Sequence, residues 1–487
     1  MKNNSYRNLI VNSGLFAINA VATRLVTFLL VPLYTNFMSA GEYGVADMSV
    51  IVISLVTPLV TLSITDAVVR FIVGEKTKTE EYVFIGFAVT VVSIAAVALL
   101  TPVLDLDVFG GLGAHKGWFV LAYASSALLQ LCGQVARGIG AIKLIPACAG
   151  ASSLITCSAA IVFIGGMGLT VVGYFASVSL GPIVAVGVYL TIGGLGRLAV
   201  GGARSILQHG ERRVHLRELC APMLRYSLPL IPNSLFWWMS TSINRFFITG
   251  MLGIAASGIF AAAGKLPNLL NTAYSVFQQA WQLSAFQESG EEGLDRFFTS
   301  VFRVLQAGMT VLCAFVSFLA PWLAVVFLQG EFYDAWPMIS ILLIANLMNV
   351  FNSFYGTVYT TTMHTSYIMK TTAVGAVACV VFTPVLVMLL GIYGACAAST
   401  LGNALVFAMR AYDSRRYIRF DVGWRALAPT LLFLVVQSTV TALQIPGWHA
   451  VSGACLAACI AFQGPRLLPL FKRLFSKLTI LRKEAGR

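Results

Sequence analysis

The sequence predicts an all-α, polytopic membrane protein of about fourteen transmembrane helices, and two observations predict it. Of its 487 residues, 58% are hydrophobic and only 10% are charged, against roughly 25% charged residues in a soluble domain. No soluble fold of this length buries that apolar excess, because a globular surface needs polar cover. The basic residues also collect in alternate connections between the apolar runs, the pattern of cytoplasmic loops in membrane proteins.

Taken in order, apolar runs place spans near 10–37, 45–71, 82–104, 117–136, 143–165 and 169–193. A basic connection, 194–222, follows. Further spans fall near 223–250, 254–280, 297–328, 335–361, 367–390 and 393–412. A second basic connection, 413–425, precedes the last two, 426–445 and 447–465. The first run is too long for a secretory signal peptide and carries Arg24 in its middle, so it is expected to stay as the first membrane helix.

The odd-numbered connections, SAGEYG (39–44) to PGWH (446–449), hold Lys116 as their only basic residue. The even-numbered ones hold Lys76, Lys78, Arg137, Lys143, Arg197, Arg204, Arg212, Arg213, Arg217, Arg296, Lys370, Arg415, Arg416 and Arg419. That asymmetry puts both termini in the cytoplasm and accounts for the net charge of +13 without nucleic acid. The tail 466–487 is basic, with Leu467, Leu470, Phe471, Leu474, Phe475 and Leu478 in one stripe. It is expected to lie on the inner leaflet, against membrane lipids.

A weak internal echo divides the chain. GEYGVADMSV (41–50) resembles AASGIFAAAGKL (255–266), and LTVVGYFASVSLG (169–181) resembles LLGIYGACAASTLG (389–402). The expected domains are two pseudo-symmetric six-helix bundles, 1–193 and 223–412, joined by the basic connection 194–222. Two extra helices, 413–465, and the tail complete the chain.

Catalysis finds little support. The odd-numbered connections are short, and the acidic pairs in them, Asp105 with Asp107 and Glu331 with Asp334, read as solvated loop charges. The five histidines are scattered without metal-ligand spacing. No phosphate-cradling loop is present, and no cofactor is expected. The nine cysteines fall mostly inside apolar runs, as buried small hydrophobes.

Charge inside the spans is the informative signal, because an ion at mid-bilayer costs at least about 2.5–3.5 kcal/mol and faces a cavity or a partner. Arg24 lies mid-span, Arg245 in the outer part of the seventh span, and Lys265 about ten residues into the eighth. None has an obvious carboxylate at matching depth, a balance that suits an anionic ligand such as a diphosphate. Asp66 and Arg70 stand one helical turn apart near the inner end of the second span, either as an exposed pair or facing a vestibule. Asp47 lies near that span's outer end. Polar residues crowd the eighth span (Asn268, Asn271, Tyr274, Gln278, Gln279, Gln282) and the tenth (Asn346, Asn349, Asn352, Tyr355, Tyr359). Asn349, Asn352 and Tyr359 recur at helical spacing. These groups suit either sugar hydroxyls or hydrogen bonds between helices. Pro32, Pro58, Pro229 and Pro232 predict kinks.

The stretch RLVTFLLVPLYTNFMSAGEYGVADM (24–48), then AVVRF (67–71), resembles the start of the bacterial polysaccharide flippase family. That family belongs to the superfamily that also holds the multidrug extruders. SLPLIPNSLFWWMSTSINRFFI (227–248), SGIFAAAGKLPNLL (257–270) and GIYGACAASTLGNAL (391–405) agree with it. The resemblance implies two six-helix bundles around a lumen and alternating-access export of a polyprenyl-diphosphate-linked oligosaccharide. It assigns Arg24, Arg70, Arg245 and Lys265 to the diphosphate. Ion-gradient coupling, by H+ or Na+, and a polysaccharide polymerase partner would follow. The first span has no Asp or Glu, unlike many proton-coupled drug extruders, which leaves Asp66 as the acidic coupling candidate in the first bundle.

Overall fold

The computed structural model describes residues 28–209, 212–287, 293–364 and 366–485. Arg24 and most of the first expected span lie outside them. Regular structure among the described residues is helical. Eleven of these helices are long and apolar enough to cross a membrane, so the chain is a multi-pass membrane protein. Two further expected spans, 223–250 and 254–280, are present as broken helices rich in polar residues.

The described residues fall into two compact units, one up to Ala261 and one from Ala262. The first opens with α1 (Val31–Phe37) and α2 (Ala40–Val60). Ser39 and Glu42 form a capping box at the start of α2, and Thr170 Oγ1 donates to the same Glu42 carboxylate at 2.6 Å. The box satisfies amide donors that the first turn would otherwise leave open. Pro58 lies within α2 and removes a backbone donor there. The helix stops two residues later, at Val60; Leu62 and Ser63 take positive φ, and α3 (Ile64–Gly74) restarts. The kink expected from Pro58 is thus a full break.

Four long helices follow: α4 (Thr79–Leu100), α5 (Lys116–Gly138), α6 (Leu144–Ala160) and α7 (Val171–Thr191). The basic connection is helical too, as α8 (Leu195–Gln208) and α9 (Arg212–Ser227). Pro229 separates α9 from α10 (Leu230–Leu252), and α11 (Ile254–Ala263) closes the unit. Its core packs Ile64, Val68, Ile72, Tyr82, Leu131, Val135 and Tyr189 under the α8–α9 connection.

The second unit holds α12 (Asn268–Gln287), α13 (Leu294–Phe327), α14 (Trp336–Thr361), α15 (Ser366–Leu390), α16 (Ile392–Asp413), α17 (Trp424–Ala442) and α18 (Trp448–Ala485). α14 is the most buried of the spans and forms the unit's axis. Phe302 meets Phe354 and Phe420 at centroid distances of 5.0 and 5.5 Å, and Trp281 stacks on Phe354 at 4.9 Å. Buried glutamines attach the last two helices. Gln437 Nε2 donates to Ala314 O at 3.1 Å and to Ser452 Oγ at 2.9 Å, and Gln463 Nε2 to Thr430 Oγ1 at 3.1 Å. The backbone of the basic tail continues α18 as far as Ala485.

Two glycines set the packing of the first unit. A Cβ on Gly258 would lie 2.0 Å from Ala40 O, and one on Gly44 would lie 2.3 Å from Ile254 O. Only glycine lets α2 and α11 cross so closely, in the manner of small-residue contacts between membrane helices. These two positions correspond in the internal echo. Gly258→Val should destabilise the protein by about 1–3 kcal/mol, the range for overpacking. Thermal unfolding in detergent checks this against Gly41→Ala, whose added methyl meets nothing within 4 Å.

Candidate functional site

At the α2–α11 crossing, the first unit is sealed by polar and aromatic contacts. Arg245 Nε donates to Asp47 Oδ2 at 3.4 Å, and the same guanidinium lies over Phe260, 4.7 Å from its centroid. The side chains keep 20% and 10% exposure, so the pair is largely withdrawn from solvent. Trp238 Nε1 donates to Ile51 O at 3.1 Å, tying α10 to α2. Phe246 packs edge-on against Phe109 at 5.8 Å and Trp238 at 5.5 Å. Arg245 was expected to lack a carboxylate, and the structure corrects this. Asp47 reaches it from a helix 198 residues earlier in the chain, a distance at which no local pattern signals the pairing.

Near the basic connections the same unit has a cleft of about 520 Å³, lined by Asp66, Val69, Arg70 and Val73 from α3 and by Tyr226, Leu230, Asn233 and Ser234. Arg70 is exposed and Asp66 half-buried. No ion pair joins them among the described residues. The α2–α3 break gives α3 its own start, and the break at Pro229 brings Tyr226 and Leu230 from two helices to one wall.

In the second unit the asparagines of α12 and α14 form a ladder. Asn271 Nδ2 donates to Asn268 Oδ1 at 3.1 Å and to Asn346 Oδ1, while Asn349 Nδ2 donates to Asn271 Oδ1 at 3.3 Å. Asn268 is exposed, and Asn271, Asn349 and Gln278 are half-buried. Asn352 and Tyr359 are buried. Asn352 Nδ2 donates to Asn403 O at 3.0 Å, and Tyr359 OH to Arg410 O at 3.5 Å. Lys265 sits half-buried in the turn before α12, its amide bonded to Ala262 O at 3.1 Å.

Arg410 is a buried cation that the sequence does not single out. It is 6% exposed and donates to Thr371 Oγ1 (2.9 Å), Asn352 O (2.7 Å) and Thr372 Oγ1 (3.3 Å). It stands at the basic end of a span, where the charge asymmetry explains any arginine, so no signal distinguished it.

Beside it, Tyr412, Arg415, Arg416, Arg419, Asp421 and Trp424 line a second cleft of about 590 Å³. Asp421 accepts from the Gly423 amide at 2.7 Å and from Arg303 Nη2. The amide first, then the guanidinium, holds its carboxyl below the usual range.

The model of the polysaccharide biosynthesis protein family matches residues 9–281, more than half of the chain. The chain belongs to this family. Nothing among curated proteins matches it. Several solved structures share its fold. A multidrug resistance MATE family transporter of the MOP superfamily, in an inward-facing conformation, has 14% identity and a TM-score of 0.61, over 82% of this chain and 98% of that one. A MOP superfamily transporter from Pyrococcus furiosus has 14% identity and a TM-score of 0.55, over 83% and 96%. The Vibrio cholerae MATE transporter VcmN, in its bent form, has 12% identity and a TM-score of 0.54, over 85% and 100%. At such identities the likeness concerns the fold.

In this polysaccharide biosynthesis protein, then, Asp66 and Arg70 share one cleft and Arg245 stands in the seal with Asp47. Asn268, Asn271 and Asn349 meet in one ladder, while Asn352 and Tyr359 each bond to Arg410. Arg24 lies outside the described residues.

Two outcomes follow. Arg245→Met and Asp47→Asn should each lower the unfolding midpoint, and the double variant should lose less than the sum, with a coupling of about 0.5–3 kcal/mol. A double-mutant cycle in detergent measures it. Asp421 has a lowered folded pKa, so its contribution to stability is present above the unfolded pKa and is lost as pH falls through the folded one. The midpoint difference between the protein and Asp421→Asn should therefore be full at neutral pH and shrink below about pH 4.

Proposed function

We propose that this protein is a flippase that carries a polyprenyl-diphosphate-linked oligosaccharide from the cytoplasmic to the outer leaflet of the bacterial plasma membrane by alternating access. The cleft of α3, α9 and α10 carries the reading. One short wall offers the Arg70 cation, the Tyr226 phenol, Asn233 and Ser234 beside the apolar Val69, Val73 and Leu230. A guanidinium suits a diphosphate, amide and hydroxyl groups suit sugar hydroxyls, and aliphatic side chains suit a lipid tail. The excess of Lys and Arg around this cleft supports a cytoplasmic position for it, where such a substrate would load.

The opposite end is closed by Asp47 with Arg245 and by the glycine crossing. A diphosphate competing with Asp47 for Arg245 would loosen that seal, which couples loading to opening. Arg24 and Lys265 belong to this proposal as further diphosphate contacts, and the asparagines of α12 and α14, with Gln278, as groups that exchange bonds with the glycan. Asp66, acidic and within the cleft, is the proposed coupling residue for H+ or Na+. A polysaccharide polymerase on the outer side would consume the exported unit.

A second reading, efflux of small molecules, draws on the likeness to multidrug transporters and on the Asp66 carboxylate in the cleft. The Pyrococcus furiosus transporter, whose binding pocket of reverse polarity suggests a different function, is a precedent for changed pocket charge on this fold.

Liposomes carrying a fluorescent polyprenyl-diphosphate oligosaccharide on one leaflet separate the two readings. The expected result is protein-dependent movement to the other leaflet. Arg70→Ala and Arg24→Ala should each slow it about tenfold or more, the worth of one charge-assisted hydrogen bond. Asp66→Asn should leave residual flipping without gradient dependence. Folded protein that moves drug-like cations but no lipid-linked glycan would favour efflux instead.

A further inference from the structure

His209 and His215 stand with five residues between them in sequence, and the fold brings both against the first turn of α4. His215 Nε2 lies 3.2 Å from Glu81 Oε1, and the His209 ring stacks on the His215 ring at 3.8 Å with a 2° tilt. One ligand atom from each of Glu81, His209 and His215 lies within 4.8 Å of the others. The surroundings constrain them further. Ser205 Oγ donates to Glu81 Oε1 at 2.6 Å, and His209 Nδ1 lies 3.2 Å from Ser205 O. If Nδ1 is the donor in that contact, Nε2 is left as an unprotonated lone pair, the tautomer a metal takes.

Two atoms at this place point to a ligand. Glu81 is 7% exposed, and its Oε2 is buried with no hydrogen-bond partner. His215 Nε2 is buried and, beyond its 3.2 Å contact with Glu81 Oε1, makes no hydrogen bond. A buried carboxylate oxygen left open costs on the order of 1–3 kcal/mol or more, and here it stands beside an open imidazole nitrogen. Two imidazoles and one carboxylate form a donor set that zinc takes readily, with water in the fourth position.

We propose that Glu81, His209 and His215 form a binding site for a divalent transition-metal ion, zinc by preference, that clamps the α8–α9 connection to α4. Coordination at about 2.0–2.2 Å brings the donors to roughly 3.4 Å from one another, so the rings must leave their stack and the donors draw together by about an ångström. α4 holds its end of the clamp rigidly. Gly202 lets α8 approach so closely that an added Cβ would lie 2.0 Å from Glu80 O. His209 and His215 then join the end of α8 to the first turn of α9, on the connection whose far end, at Tyr226, lines the substrate cleft. The site is independent of what the protein transports.

The test uses the full-length protein in detergent after chelation, with zinc and then cobalt added. It should bind about one zinc ion per chain. Cobalt should give the visible bands of a tetrahedral nitrogen–oxygen site without thiolate charge transfer, which separates it from the cysteines. His215→Ala, Glu81→Gln and the exposed His209→Ala should each weaken binding about tenfold or more, and Ser205→Ala, which only orients Glu81, about tenfold. Zinc should also slow tryptic cleavage at Arg212 and Arg213 in the native protein and not in His209→Ala. Absence of zinc binding by monodisperse protein overturns the proposal. So does binding that His209→Ala and Ser205→Ala leave unchanged, since that ion sits elsewhere.

Discussion

In hydrocarbon, a backbone carbonyl or a charged side chain has no water to turn to and must find its partner within the protein. The ion pair of Asp47 and Arg245 answers that constraint, and much of the first unit is arranged to let it form. It needs α2 and α10 side by side, which the Trp238 bond to Ile51 O secures. It needs α11 close enough to lay Phe260 against the guanidinium, which the glycine crossing permits. A Cβ at either glycine would push the helices apart and leave a carboxylate half-desolvated without its cation. The same constraint explains the asparagine ladder and the three acceptors that the Arg410 guanidinium finds in the second unit.

The helical class and the position of most spans were legible in the sequence, because hydropathy is a local property and a span is a local object. Pro58 and Pro229 gave local notice of the breaks that shape the cleft. The spans that depart from the hydropathy pattern are those that carry Arg245, Lys265 and the α12 asparagines, because polar content lowers their apolarity. Long-range pairing was not legible. Asp47 and Arg245 stand in different helices, and nothing nearby in sequence marks either as the other's partner. Arg410 was hidden by a rule that was correct, since an arginine at the basic end of a span needs no further explanation. The cluster of Glu81, His209 and His215 was hidden because the ligand that completes the histidine pair, Glu81, comes from α4, more than a hundred residues earlier.

The proposed function asks the protein to open one end while the other stays shut. In the first unit a close-packed crossing stands at one end, and at the other a cleft lined from α3, α9 and α10 beside two helix breaks. Breaks confine bending to a few residues and leave the rest of each helix bonded. A seal held by one ion pair and close packing can be exchanged, whereas a continuous hydrophobic interface cannot be released by a charged ligand. On the proposed function, the charge of Arg245 serves transport by exchanging Asp47 for a diphosphate.

The account rests on the claim that the Ser234 cleft opens to the basic side while the Asp47–Arg245 seal closes the other. The direct measurement is labelling of Ser234→Cys, in a background without the nine native cysteines, by a membrane-impermeant thiol reagent applied from each side in turn. The account predicts labelling from the cytoplasmic face in the resting protein, and labelling from the outer face only once Arg245→Met or a lipid diphosphate has loosened the seal. Equal labelling from both faces at rest, or labelling from the outer face alone, would contradict it.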